Sequence, residues 1–326
     1  MIWLTWRQHR KQALFTLVGF AILAAAMIPT GLQMHHTFAH DGIAACLRKV
    51  GNADLVPGET DLCGRAMRAF TSQYTTMGTV GLLFIFLPLL VGLFWGAPLV
   101  AREIEHGTHR LVWTQGISRR RWALVKFGLV GTATIAFATL YGLGLGWWWA
   151  PLSQAAGQGR LGPGIFDVQG VTPIAYTVFA VALGIFAGTV WHKVLPAMAV
   201  TLAGFLGVRI ALAILARPRY VPARTLTYPL QSALQLNMSR GDWVQAVGVR
   251  NGAGKLVAPD MTVGCPAGAQ GSTGPCGTEF GAGAYNWQLY QPGSRFWLFQ
   301  GIESGIFIAL AALLLYLAMR RIRRIA

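Results

Sequence analysis

Acidic side chains are scarce. Asp and Glu together number 11 in 326 residues, and all charged types make up only 12% of the chain. That is about half the charged fraction of a typical soluble domain, which argues against an ordinary water-soluble enzyme. Cysteine is rare too, limited to Cys46, Cys63, Cys265 and Cys276. A nucleotide phosphate loop is also lacking. The nearest approach, Asn251-Gly252-Ala253-Gly254-Lys255-Leu256, has neither the first Gly nor the Ser or Thr that would meet Mg²⁺. Gly157, Gly159 and Gly162 match a dinucleotide fingerprint by letters only, with an apolar run in place of a strand before them and Pro163 after.

What the chain has instead is apolar length. Hydrophobic residues make up 54% of it, and six runs are long enough to cross roughly 30 Å of hydrocarbon as helices. They are Ala13 to Gln33, Thr76 to Val100, Phe127 to Trp149, Val171 to Trp191, Val194 to Leu215 and Phe296 to Met319. Continuous runs satisfy their backbone hydrogen bonds as helices, whereas barrel strands would alternate. The expected class is an all-α polytopic membrane protein with six transmembrane helices, laid out as one domain over residues 1–326.

Lys and Arg number 27, for a formal charge of +16, a balance that elsewhere suggests nucleic acid. Position decides otherwise. With both termini cytoplasmic, the inner segments hold Arg7, Arg10, Lys11, Arg102, Arg110, Arg119, Arg120, Arg121, Lys126, Lys193, Arg320, Arg321, Arg323 and Arg324 against Glu103 and Glu105, a net of +12. The outer segments carry a net of only +4. This is the positive-inside pattern, and no nucleic-acid partner is expected. All four cysteines fall in outer segments, where local pairs Cys46 with Cys63 and Cys265 with Cys276 are the simplest disulfides.

The N-terminal dozen residues suggest an interfacial helix with Trp3 and Trp6 at headgroup depth, leading into a retained first span. Residues 35–75 form a first outer loop. Residues 216–295 form a large one, rich in Gly and Pro from Asn251 to Gly283, so turns and irregular loops are expected there. No cytoplasmic segment is large enough to fold as a nucleotide-binding domain.

The stretch from residue 101 to 121 is the most informative. It reads Arg102-Glu103-Ile104-Glu105-His106-Gly107-Thr108, an apolar run Leu111-Val112-Trp113, and then Ser118-Arg119-Arg120-Arg121, with Lys126 entering the third span. Acidic residues early and basic residues late suit the dipole of a short amphipathic helix, and Gly107 and Gly116 permit turns. This layout and the opening Met1-Ile2-Trp3-Leu4-Thr5-Trp6-Arg7-Gln8-His9-Arg10 resemble ABC-2 type transporter permease subunits, especially actinobacterial ones. The unusually long last outer loop departs from that pattern.

The resemblance implies a coupling helix between the second and third spans that docks on a separate ATPase. Glu103, Glu105, Gly107 and Thr108 would shape it, with Arg102, Arg119, Arg120 and Arg121 at its ends. The implied assembly sits in the cell membrane. It is a cytoplasmic ABC ATPase dimer carrying ATP and Mg²⁺, this chain with no cofactor of its own, a second permease copy identical or closely related, and surrounding lipids. The implied activity is outward transport by alternating access. Alternatives are a membrane-embedded enzyme acting on lipid or cell-wall substrates at the outer face, or a sensing or immunity complex of the same architecture.

Other candidates lie at the outer ends of the spans. His35, His36, His40 and Asp41 could offer a metal site. Trp147, Trp148 and Trp149 could anchor at the headgroups or form a stacking platform. Gly92/Gly96, Gly142/Gly146, Gly184/Gly188 and Gly301/Gly305 are small-residue pairs that let helices approach closely. Arg209 and Glu303 each lie about 10 Å inside the outer boundary. The costs of burying either alone predict an ion pair between them.

Overall fold

The computed structural model describes residues 2–52, 59–107, 118–156, 159–230, 242–265, 270–271 and 274–323. Among them, six helices are long and apolar enough to cross a membrane. The first is α1 (Ile2–His40), whose membrane-capable part is Thr16–His40. Then follow α2 (Ile43–Asn52), α3 (Glu59–Gln73) and α4 (Thr75–Glu105). Next come α5 (Arg119–Ala155), the single turn α6 (Ile165–Val168), α7 (Thr172–Val190), α8 (Val194–Arg219) and α9 (Phe296–Ile322).

Two N-terminal expectations change. The expected interfacial segment and the first span run as one continuous helix over Ile2–His40, with no break between them. The placement of Trp3 and Trp6 lies outside the described side chains. The first outer loop is also mostly helical. Antiparallel α2 and α3 are stitched by the Cys46–Cys63 disulfide, with Cα atoms 5.7 Å apart, and pack on α1 and α5 through Met34, Phe70, Tyr74, Trp148 and Trp149.

The helix α7 is the centre of the bundle: 72% of its most apolar stretch is buried, against 11–28% in the other five spans. Close approach to α4 explains this. A side chain at Gly92 or Gly96 of α4 would come within 2.7 Å of Ala180 or Val181, and one at Gly184 of α7 within 2.6 Å of the α4 backbone. These two glycine pairs therefore face each other within one chain. In contrast, among the described residues nothing lies within 4 Å of a first side-chain carbon placed at Gly146, Gly301 or Gly305.

The helix α4 is not regular. Pro88 has no N–H to offer Phe84 and its ring crowds that carbonyl, so a 3₁₀ turn forms at Phe84–Phe86. The Tyr141 hydroxyl of α5 donates to the Phe84 carbonyl at 2.9 Å. A π-turn follows at Gly92–Gly96, where α4 meets α7. A second π-turn, Leu212–Ala216, lies near the end of α8 and is followed by a 3₁₀ turn at Arg217–Arg219.

The all-α expectation fails in the large outer loop. Strands β1 (Arg224–Pro229), β2 (Trp243–Arg250), β3 (Leu256–Pro259) and β6 (Tyr285–Gln291) form an antiparallel sheet in the order β1-β6-β2-β3. A small hairpin, β4 (Gln270–Gly271) with β5 (Gly274–Pro275), stands beside it. The glycines that suggested irregular loops have specific places around the sheet. Gly254 (φ +81°) closes the turn between β2 and β3, its amide donating to the Asn251 carbonyl at 2.8 Å, and Gly277 (φ +89°) packs on Leu230. Cys265 and Cys276 form the second disulfide, Cα atoms 5.7 Å apart, against Leu230, Val249 and Ala258.

Candidate functional site

At the end of the bundle opposite the sheet, basic residues gather where α4 ends and α5 begins. Arg102, Glu103 and Glu105 occupy the last turns of α4, and Gly107 takes φ +68° to stop it. Ser118 caps α5, its hydroxyl accepting from the Arg121 amide at 3.3 Å, which places Arg119, Arg120 and Arg121 in the first turn of α5. Thr108, and with it the expected coupling helix, lies outside the described residues.

The two glutamates do more than end a helix. Glu103 pairs with buried Lys126 of α5. The Glu105 carboxylate accepts the Val194 amide at 3.0 Å, so it caps the N-terminus of α8. A carboxylate at the C-terminal end of its own helix opposes that dipole, and each glutamate is offset by a positive group from a neighbouring element. Arg119 in turn donates to the Arg323 carbonyl of α9 at 3.3 Å. The segment between α4 and α5 is thus tied at its flanks to α5, α8 and α9.

The sheet end holds the densest polar cluster. Asp167 enters it from α6, Tyr176 from α7, Arg209 and Arg217 from α8, and Glu303 from α9. Arg217 is 2% exposed and Glu303 1%. Arg217 grips Glu303 through two hydrogen bonds, Nε to Oε2 at 2.8 Å and Nη2 to Oε1 at 2.6 Å, and also reaches Asp167 at 2.6 Å. The Tyr176 hydroxyl lies 2.5 Å from Glu303 and 3.0 Å from Asp167. Arg209 pairs with the other oxygen of Asp167 at 3.3 Å, donates to the Ile85 carbonyl of α4 at 3.1 Å, and stacks over the Tyr176 ring.

The expected Arg209–Glu303 pair is therefore replaced by an exchange of partners. Glu303 belongs to Arg217 and Arg209 to Asp167, within one network whose four charges cancel. Sequence reasoning missed Tyr176 and both remaining charges, because α8 extends beyond Leu215 through its π-turn, bringing Arg217 down to the level of Glu303, while α6 folds Asp167 back into the bundle. Burial opposes ionisation of Asp167, but the Arg209 and Arg217 charges, with hydrogen bonds from Arg217 and Tyr176, outweigh it and hold its pKa below the ordinary value.

Next to the network, Gln300 of α9 clips the turn between α6 and α7. Its Oε1 accepts from Val171 and Thr172 at 2.8 and 2.9 Å, and its Nε2 donates to the Phe166 and Gln169 carbonyls at 3.1 Å each. Gly170 has φ +71°, and a side chain there would fall 2.6 Å from Gln300 Oε1.

The outer histidines do not converge. His35 stacks on Trp147 and lies 3.0 Å from its carbonyl oxygen, whereas His36 stacks on His40, which contacts Asp41 at 3.2 Å. Among the described residues, no group of three or more His, Cys, Asp or Glu is placed to hold a metal ion. Of the three tryptophans, Trp148 and Trp149 are buried in the core and the Trp148 indole donates to Thr30 at 2.9 Å.

A model of the family described as ABC-2 membrane transporter related matches residues 17–217. The chain belongs to this family. It is an ABC-2 permease, a multi-pass membrane protein and the membrane component of a transporter. The matched region contains both ties made by Glu103 and Glu105 and ends at Arg217, so the sheet and α9 of this permease lie beyond it. Neither a curated protein nor a solved structure matches the chain.

Proposed function

We propose that this permease is the membrane-spanning subunit of an ATP-driven exporter, moving substrate outward by alternating access. The observation that carries this reading is the pair of ties from the last turn of α4. Because Glu103 holds α5 and Glu105 holds the first turn of α8, a push on the segment between α4 and α5 is passed directly to neighbouring spans. The glycine contact between α4 and α7 extends it to the central helix. A device that converts motion of a cytoplasmic partner into repacking of helices needs such a connection.

In this reading the basic end faces the cytoplasm of the cell, in accord with the positive-inside pattern. Two separate ABC ATPase subunits bind ATP and Mg²⁺ and dock on the surface around Arg102, Glu105, Gly107, Thr108 and Arg119 to Arg121. A second permease copy completes the route, and the sheet stands outside. This chain supplies the path and makes no bonds.

The test is co-purification of the tagged permease with the ABC ATPase encoded nearest to it, followed by ATP-dependent transport in vesicles. Recovery of the ATPase with the wild-type chain, and its loss with Glu105→Lys, is expected. Transport that proceeds without any co-purifying ATPase defeats the proposal.

A further inference from the structure

One cation outside the buried network, Arg160, has no acidic partner among the described residues. Arg160 lies between α5 and α6 at the sheet end, with its guanidinium carbon 4.0 Å from the centre of the Phe296 ring and 6.0 Å from that of Trp297. Phe296 is buried, in the cluster with Leu161, Phe166 and Phe299. Trp297 and Leu298, on the first turn of α9, are 61% and 51% exposed. Among the described residues, no carboxylate or carbonyl takes a hydrogen bond from Arg160. Burial alone, with no opposing acid, lowers its pKa from the ordinary guanidinium value.

An arginine held over an aromatic ring keeps its charge, and its N–H groups form a fork that matches phosphate oxygens. Here the fork sits at the head of a membrane-spanning helix, the depth at which tryptophan and lipid headgroups meet. The exposed Trp297 and Leu298 beside it offer an apolar surface to an acyl chain. We propose that Arg160, Phe296 and Trp297 form a binding site for the phosphate of an anionic phospholipid, with Leu298 against its chain. With no carboxylate bound to Arg160 among the described residues, the site is net positive and favours a headgroup of net negative charge over a zwitterionic one. This site depends on the chain spanning a membrane and not on the direction of transport.

The test uses the full permease purified in detergent, with retained phospholipid read by native mass spectrometry and thermal unfolding followed in parallel. Phosphatidylglycerol is expected to be retained and to raise Tm, and phosphatidylcholine to do so less. The R160Q variant should lose about tenfold in retention, the scale of one charge-assisted contact. R160K, which keeps charge without the planar stack, and W297L, which keeps charge without the outer ring, should each lose part of it. K255Q, which removes one positive charge from an exposed turn of the sheet, should behave as the parent. The proposal is overturned if R160Q retains the lipid as well as the parent does, if K255Q loses it equally, if the two lipids are held alike, or if inorganic phosphate raises Tm as much as the lipid. If R160Q does not fold, R160K and W297L decide the matter by the same comparison.

Discussion

Arg217 and Glu303 meet through both arms of the guanidinium, at 2.6 and 2.8 Å, although one residue closes α8 and the other lies within the first turns of α9. Their pairing joins the two spans that flank the sheet in sequence. Removing one member leaves a buried charge uncompensated, so Glu303→Leu or Arg217→Met should each cost about 3–5 kcal/mol. The double substitution leaves Asp167 with Arg209, still neutral, and should recover most of that loss. Thermal unfolding in one detergent measures both effects. Double-mutant stability no better than that of the worse single variant would remove the pair as an energetic unit.

The same network sets a pH dependence. The folded-state pKa of Asp167 is depressed, so its contribution to stability is fully present above the ordinary carboxylate pKa and is lost as pH falls through the folded value. Parent and Asp167→Asn should therefore differ most in Tm near neutral pH. Their curves should converge only in acid, below about pH 4. A difference that grows as the pH is lowered would reverse the sign and contradict the assignment.

The clip made by Gln300 gives a local prediction. Gly170→Ala combines a left-handed backbone with a 2.6 Å approach to Gln300 Oε1, and should cost about 1–3 kcal/mol. Gln300→Leu keeps the volume and strands two amides and two carbonyls, and should cost at least as much. Ala in place of Gly at exposed Gly305, where nothing lies within 4 Å, serves as the neutral comparison.

How far these features could be read in the sequence varies with the physical signal. Hydropathy marks α7 and α8 and the tight tip between them, because twenty-odd apolar residues per span leave few other folds in lipid. The depths of Arg209 and Glu303 follow from helical rise, but their partners depend on where α8 stops. Its π-turn and 3₁₀ turn past Leu215 carry no hydropathy signature. The sheet was hidden for a different reason. The buried residues of β6 are Asn286, Gln288 and Gln291, each donating a side-chain amide N–H to Val263, Tyr228 or Val221. Polar residues therefore sit where a strand pattern is expected to be apolar. The glutamates of α4 were legible as a functional block, whereas their ties to Lys126 and Val194 require the three-dimensional arrangement.

Four glycine pairs share the same spacing, yet the structure separates them. Gly184→Leu should abolish folding, since a side chain there meets the α4 backbone at 2.6 Å from the first carbon onward. Gly301→Leu should yield a folded chain with α1 to α9 in place, because that face of α9 is open in the monomer. Size-exclusion profiles and thermal unfolding of the two variants decide this. If Gly301→Leu folds but elutes with a smaller mass than the parent, the open face is where two copies meet. Equal loss of folding in both variants would refute the division.

Glu105 is where the proposed coupling can be separated from stability. Its side chain is exposed and its hydrogen bond to Val194 lies at the surface, so Glu105→Gln should change stability little, by about 1 kcal/mol or less. A neutral amide can still accept from that N–H but no longer carries a charge toward the positive end of α8 or toward a partner. Glu105→Lys removes the acceptor and places a cation at that helix N-terminus, which is the unfavourable sign for the dipole. The expected order is therefore parent, Gln, Lys for ATPase recovery and for the fraction of ATP hydrolysis converted into transport, with folding preserved throughout. Because Glu103 is bound to a buried lysine, Glu103→Gln should behave differently, losing stability as well as coupling. If the Glu105 variants lose stability and coupling in parallel, the residue is only a brace. If hydrolysis continues while transport falls, the tie between α4 and α8 is part of the path by which the partner moves the bundle.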